Sequence, residues 1–147
     1  MAAERVPTLV VDTNIVLDLL VFKDPATAHL LTALQTGRVR WIATQAMRDE
    51  LERVLGYPKL AARIAFHQCS PASVLAAMDA LCQRVEPAPK APVTCPDADD
   101  QTFIDLACAH RAALFSKDHH ITHMRKRLAA LGVGISVTWQ AVLPDTD

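Results

Sequence analysis

Four acidic residues in four different local settings are the groups in this chain whose types and spacing could do chemistry. Asp12 closes the apolar run Thr8-Leu9-Val10-Val11, and Glu50 lies within Met47-Arg48-Asp49-Glu50-Leu51-Glu52-Arg53-Val54-Leu55. Asp100 ends the cluster Asp97-Ala98-Asp99-Asp100, and Asp118 follows the second apolar run Ala112-Ala113-Leu114-Phe115-Ser116-Lys117. Brought together, they would make a hard, oxygen-rich site of the kind that holds Mg²⁺ or Mn²⁺. Such a site suits metal-assisted hydrolysis of a phosphodiester.

The elements around these residues say whether they can meet. Leu9-Val10-Val11 reads as a strand buried on both faces, the pattern of a parallel sheet. A helix follows from about Asn14 to Val21. Asp24-Pro25 caps a second helix with Leu30, Leu31 and Leu34 on one face, stopped by Gly37. Arg40-Trp41-Ile42-Ala43 is a second strand, and Thr44 caps the helix that carries Glu50. Tyr57-Pro58 breaks that helix and Lys59 to His67 forms another. Ser70-Pro71 repeats the cap-then-proline device before a helix from Ala72 to Val85. The proline-rich stretch Glu86 to Pro92 is extended or loop, with a short strand nearby. Asp97 to Arg111 is helical, Leu114-Phe115-Ser116 a strand, Asp118 to Ala130 a helix ended by Gly132, and Ile135-Ser136-Val137 a last strand. Strands alternating with helices predict a parallel α/β sheet covered on both sides.

In such a sheet, sites form beyond the carboxyl ends of the strands. Asp12 and Asp118 sit at or just after such ends, so neighbouring strands would bring them to one edge. Helical facing sharpens the other two. Met47, Leu51, Val54 and Leu55 form an apolar stripe at 3.6-residue spacing. Glu50 borders that stripe, Asp49 points away, and Glu52 lies near the opposite border. On the later helix Phe103, Ile104 and Ala107 define the inward face, and Asp100 falls at its centre. A carboxylate aimed at the core is costly unless something compensates it. The helix macrodipole explains an acid near that N-terminus but not its inward facing. Asp105, on the same helix, reads as an outward, solvated acid.

At 147 residues the chain is predicted to be one domain, and its net charge of −1 gives no global attraction to nucleic acid. Any such contact needs a local patch, and His119-His120-Ile121-Thr122-His123-Met124-Arg125-Lys126-Arg127 is the basic candidate. Ile121, Met124, Leu128 and Leu131 form the buried stripe there, leaving His119, His120 and His123 as exposed helix residues that, with Arg125, Lys126 and Arg127, could touch phosphates. Trp41 and Trp139 read as packing residues rather than base-stacking platforms. Cys69, Cys82, Cys95 and Cys108 form no Cys-x-x-Cys pair, which argues against a zinc clip and for reduced thiols. With no signal peptide and no membrane span, a soluble, cytoplasmic protein is expected. No phosphate-binding glycine loop or nucleophile elbow occurs, and residue 14 is Asn, so the Asp-x-Asp of a phosphoryl-aspartate enzyme is absent.

Val10-Val11-Asp12-Thr13-Asn14, the helical Glu50, Asp97-Ala98-Asp99-Asp100 and Leu114-Phe115-Ser116-Lys117-Asp118, in this order, resemble a PIN domain. That nuclease family includes toxin components of bacterial toxin–antitoxin pairs. Leu55-Gly56-Tyr57-Pro58-Lys59-Leu60 resembles the subgroup of PIN-family toxins. The resemblance covers nearly the whole chain and implies a three-layer α/β/α sandwich with a short parallel central sheet. It also implies a metal-dependent endoribonuclease using Mg²⁺ or Mn²⁺, with Asp12, Glu50, Asp100 and Asp118 as metal-binding and catalytic residues. Asn14, Ser116, Asp97 and Thr13 would support them. An antitoxin placing a basic residue in the acidic cleft and a homodimer are further implications. Ser116-Lys117-Asp118 departs from the family's frequent Thr-Gly-Asp and sets a cation beside the last ligand. The alternative reading is a PIN-like module of weak catalysis that binds RNA or protein.

Overall fold

A computed structural model describes residues 6–136 of the chain. Five short strands, β1 (Thr8–Val11), β2 (Arg40–Ala43), β3 (Cys82–Arg84), β4 (Ala113–Phe115) and β5 (Ile135–Ser136), form one sheet. All neighbouring pairs are parallel, in the order β3-β2-β1-β4-β5. Leu9 and Val10 of β1 and Leu114 of β4 are fully buried, as both-face burial of a parallel sheet requires. The register sets Leu9, Val10 and Val11 beside Ala113, Leu114 and Phe115, which levels the carboxyl ends of β1 and β4.

The helices are α1 (Thr13–Leu17), α2 (Ala28–Gln35), α3 (Gln45–Leu55), α4 (Pro58–Phe66), α5 (Pro71–Leu81), α6 (Ala98–His110), α7 (His119–Thr122) and α8 (Arg125–Ala129). A π-helical turn, Asp18–Phe22, prolongs α1, and a 3₁₀ turn, Pro25–Thr27, precedes α2. Parallel crossovers are right-handed, which puts α1 to α5 over one face of the sheet and α6 to α8 over the other. The packing follows that division: α3 touches α1, α4 and α5, whereas α6 packs on β1, β4 and α7. The fold is thus the predicted three-layer α/β/α sandwich. Among the described residues no helix is long and apolar enough to cross a membrane.

Local chemistry explains most element boundaries. Thr44 Oγ1 accepts from the Met47 amide and opens α3, while Asp24 Oδ1 accepts from the Ala26 amide ahead of α2. Ser70 and Ser73 exchange side-chain-to-backbone bonds in a capping box, and Pro71 occupies the first helical position of α5. Gly37, at φ +74°, and Gly132, at φ +84°, supply the left-handed turns at the predicted stops.

Three predicted features differ. The helix predicted over Ala72 to Val85 ends at Leu81, and Cys82–Arg84 pairs with Trp41, Ile42 and Ala43 as the edge strand β3. Gln83 and Arg84 are exposed, so this strand has no apolar signature and exists because β2 offers it a free edge. The helix predicted over Asp118 to Ala130 is broken at His123 and Met124. A tight Met124 N–H to Ile121 carbonyl bond of 2.9 Å lets both apolar side chains bury, and Arg125 Nη1 donates to the Ile135 carbonyl at 2.6 Å. Asp105 is half-buried rather than solvated: its Oδ1 accepts from the Ala91 amide at 2.8 Å and from Gln101 Nε2 at 2.7 Å. It therefore pins the proline-rich segment onto α6. Trp41 is buried in the core as predicted, whereas Val137 and Trp139 lie outside the described residues.

Replacing Asp105 with Ala removes the only charged acceptor in that tie. Hydrogen–deuterium exchange should show the Ala91 amide exchanging at least about tenfold faster, in line with roughly 1.5–3 kcal/mol for a hydrogen bond to a charged group. Unchanged protection of Ala91 would show that the segment is held by other means.

Candidate active site

The chain winds from β1 outward through β2 to β3, then returns to β4 on the other side of β1. The strand order therefore reverses between β1 and β4, the switch point where open parallel sheets form their clefts. Asp12 leaves β1 and Asp118 follows β4 at that position. The Asp12 amide still donates to the Phe115 carbonyl at 2.9 Å, so the two chain ends are held together as the strands part.

A cleft of about 240 Å³ opens there. Asp12, Glu50, Asp100 and Asp118 all line it, as do Thr13, Asn14 and Asp97. Ser116 is fully buried beneath it. Glu50 arrives from α3 in one helical layer and Asp100 from α6 in the other. Asp49 and Glu52 are exposed, and Asp49 accepts from Gln45 Nε2 at 2.9 Å, so α3 turns Glu50 alone of its three acids into the cleft.

Hydroxyls and backbone amides hold these carboxylates. Ser116 Oγ donates to Asp12 Oδ2 at 2.7 Å and accepts from the Asp118 amide at 3.0 Å, linking the two strand ends through one side chain. Thr13 Oγ1 donates to Glu50 Oε2 at 2.5 Å. Asp97 caps α6 by accepting from the Asp99 amide at 2.9 Å, and Asp118 caps α7 by accepting from the His120 amide at 2.8 Å. Both acids thus sit where helix N-termini favour negative charge.

Asp100, in the first turn of α6, is more deeply enclosed than Asp97 and Asp118. It is 7% exposed, and its Oδ2 is buried without a hydrogen-bond partner. Burial, then the adjacent Asp118, then Asp12 and Asp97 push its pKa up to about 8. Asp118 titrates with it in the opposite direction: its own burial opposes ionisation, but the proton carried by Asp100 and the amide and ring of His120 hold its pKa low. Asp12 is raised, first by burial, with Asp118 and Glu50 adding to the shift and the Ser116 hydroxyl opposing it.

Lys117 does not neutralise the cluster. Its Nζ is 2.5 Å from Asp18 Oδ2 on the turn after α1, an ion pair that engages the lysine away from the acids. The cleft lining holds one basic group, Arg53, together with Tyr57, and neither was expected from the sequence. Arg53 was legible as the residue one helical turn after Glu50. His120, read from the sequence as an exposed helix residue rather than one with a metal or acid–base role, is half-buried, with Nδ1 3.1 Å from Asp118 Oδ1. The sequence signal for it was its place two residues after an N-cap aspartate.

The donor set fits a divalent cation. It is dominated by carboxylate oxygens, and the buried Oδ2 of Asp100 has no hydrogen-bond partner, so Asp100 in its ionised form would need a positive one. Ligand atoms of Asp97, Asp100, Asp118 and His120 lie within 4.8 Å of one another.

The molecule is thus a parallel α/β domain with an acidic cleft at its switch point. A family model of the PIN domain matches residues 8–120, and the chain belongs to the PIN domain family. PIN domains are generally nucleases and typically use divalent metals. No curated protein sequence matches the chain.

The raised pKa of Asp100 has a stability consequence in metal-free protein. Because the folded value, about 8, exceeds the ordinary 3.8, the folded state binds the extra proton between these limits. The contribution is full below pH 3.8 and lost as pH rises through 8. In chelator, Tm should fall by several degrees between pH 5 and pH 8.5, and Asp100→Asn should flatten that slope. An equal slope in both proteins would assign the dependence elsewhere.

Proposed function

We propose that this chain is a metal-dependent endoribonuclease that hydrolyses RNA phosphodiester bonds. The observation that carries the reading is the buried, unpartnered carboxylate oxygen of Asp100, set among the other acids of the cleft. Asp12, Asp100, Asp118 and Glu50 would hold one or two Mg²⁺ or Mn²⁺ ions. When bound, a divalent ion lowers the pKa of water and offsets charge on the phosphoryl oxygens.

The chain's own residues supply the rest. Ser116 fixes Asp12 and the start of Asp118 in one orientation. Thr13 orients Glu50, which takes the proton from the attacking water. Arg53 at the rim attracts a backbone phosphate, and the exposed ring of Tyr57 offers a face for an unpaired base. Single-stranded or looped RNA is the substrate form that can present both. Asn14, exposed at the cleft, serves as a further polar contact to the phosphate.

The role of toxin in a toxin–antitoxin pair extends this reading. It is supported by the segment Leu55 to Leu60, which joins α3 to α4 and sets Tyr57 at the cleft. An antitoxin would block the site by presenting a cation to the uncompensated acids. A homodimer is the proposed assembly, and the cytoplasm the proposed location.

The test is cleavage of single-stranded RNA in Mg²⁺ or Mn²⁺ by wild-type protein and Asp12→Asn. The variant should lose cleavage to background while retaining its circular dichroism, and Ser116→Ala should lose roughly 10–100-fold as a support residue. RNA binding without any metal-dependent cleavage would replace the nuclease reading with that of a binding module, and cleavage that survives Asp12→Asn would point to a contaminant or a different site.

A further inference from the structure

A nitrogen base shares the space of the acids. Nδ1 of His120 is 3.1 Å from Oδ1 of Asp118. Ligand atoms of Asp97, Asp100, Asp118 and His120 are all within 4.8 Å of one another. In an octahedral shell with bonds of roughly 2.1 Å, adjacent donors stand about 3.0 Å apart and opposite donors about 4.2 Å. The His120–Asp118 separation is that of adjacent donors.

Two further observations point the same way. Asp100, a member of the group, is 7% exposed and leaves Oδ2 without a partner, so a bound cation would satisfy an oxygen that the protein itself does not. His120 is also constrained in place. Its amide donates to Asp118 Oδ1 at 2.8 Å, and the His119 ring lies against its ring with centroids 4.2 Å apart.

Building on the metal site proposed above, we propose that His120 is a nitrogen ligand of that site, beside Asp97, Asp100 and Asp118. Oxygen donors suit both Mg²⁺ and Mn²⁺, but of the two the softer first-row ion, Mn²⁺, accepts an imidazole nitrogen more readily. His120 therefore biases the centre toward Mn²⁺. Asp12 and Glu50 fall outside this group of four and keep the roles proposed for them above.

Pulsed electron paramagnetic resonance on the Mn²⁺-loaded full chain reads the bond directly. The expected result is a ¹⁴N coupling in wild-type protein that disappears in His120→Gln. Calorimetric titration should show Mn²⁺ affinity falling about tenfold or more in that variant while Mg²⁺ affinity changes little. No nitrogen coupling in wild type, or an equal loss of Mn²⁺ and Mg²⁺ affinity, would overturn the proposal and leave His120 as the partner that orients Asp118. The wild-type spectrum decides the matter even if the variant folds poorly. Asp100→Asn separates the two levels. Mn²⁺ binding that survives it overturns the acidic metal site as a whole. Binding lost with it, alongside a wild-type spectrum without nitrogen coupling, overturns only the assignment of His120.

Discussion

Asp100 and Asp118 are held against each other at the end of β4 with one proton's worth of relief, and Asp12 and Asp97 add to the same negative field. Like charges in a poorly solvated site repel strongly, so a fold can keep such a cluster only if its framework cannot move to disperse it. The framework meets that condition. Leu9, Val10, Leu114 and Ile104 are fully buried, and the β1–β4 register fixes where the acids emerge. A rigid apolar sheet and its covering helices thus hold an electrostatically unfavourable group in position.

How the chain compensates the acids matters as much as how it assembles them. Apart from the His120 ring beside Asp118, the partners within the cleft are hydroxyls and amides: Ser116 on Asp12, Thr13 on Glu50, and helix N-termini at Asp97 and Asp118. These groups orient a carboxylate without cancelling its charge. The nearest lysine in sequence, Lys117, is engaged by Asp18, and the one cation of the lining, Arg53, is exposed at the rim. The negative charge at the centre is thus left without a cationic side chain among the cleft-lining groups other than Arg53.

The site also draws on every layer of the sandwich. Asp12 and Asp118 come from the two strands that flank the switch point, Glu50 from the helices of one face and Asp100 from those of the other. Residues distant in sequence meet because right-handed crossovers carry each return of the chain to the same sheet edge. Asp105 contributes indirectly, by anchoring the irregular segment that leads into the Asp97 cap.

Much of this was legible in the chain. The buried strands, Thr44 and Ser70 caps, inward facing of Asp100 and choice of Glu50 over Asp49 follow from local periodicity and capping, which depend on neighbours in sequence. What the sequence left open has one physical source. Edge strand β3 has no apolar alternation and is stabilised by pairing with β2. Asp105 reads as solvated until a distant backbone amide reaches it, and His120 reads as exposed until Asp118 binds both its amide and its ring. Lys117 is a threat to the site until Asp18, far back in the chain, takes it up. The sequence by itself determined which acids could face one edge. Tertiary structure alone decided which polar groups would share that edge with them, because hydrogen bonds and ion pairs between distant segments leave no periodic trace in either segment.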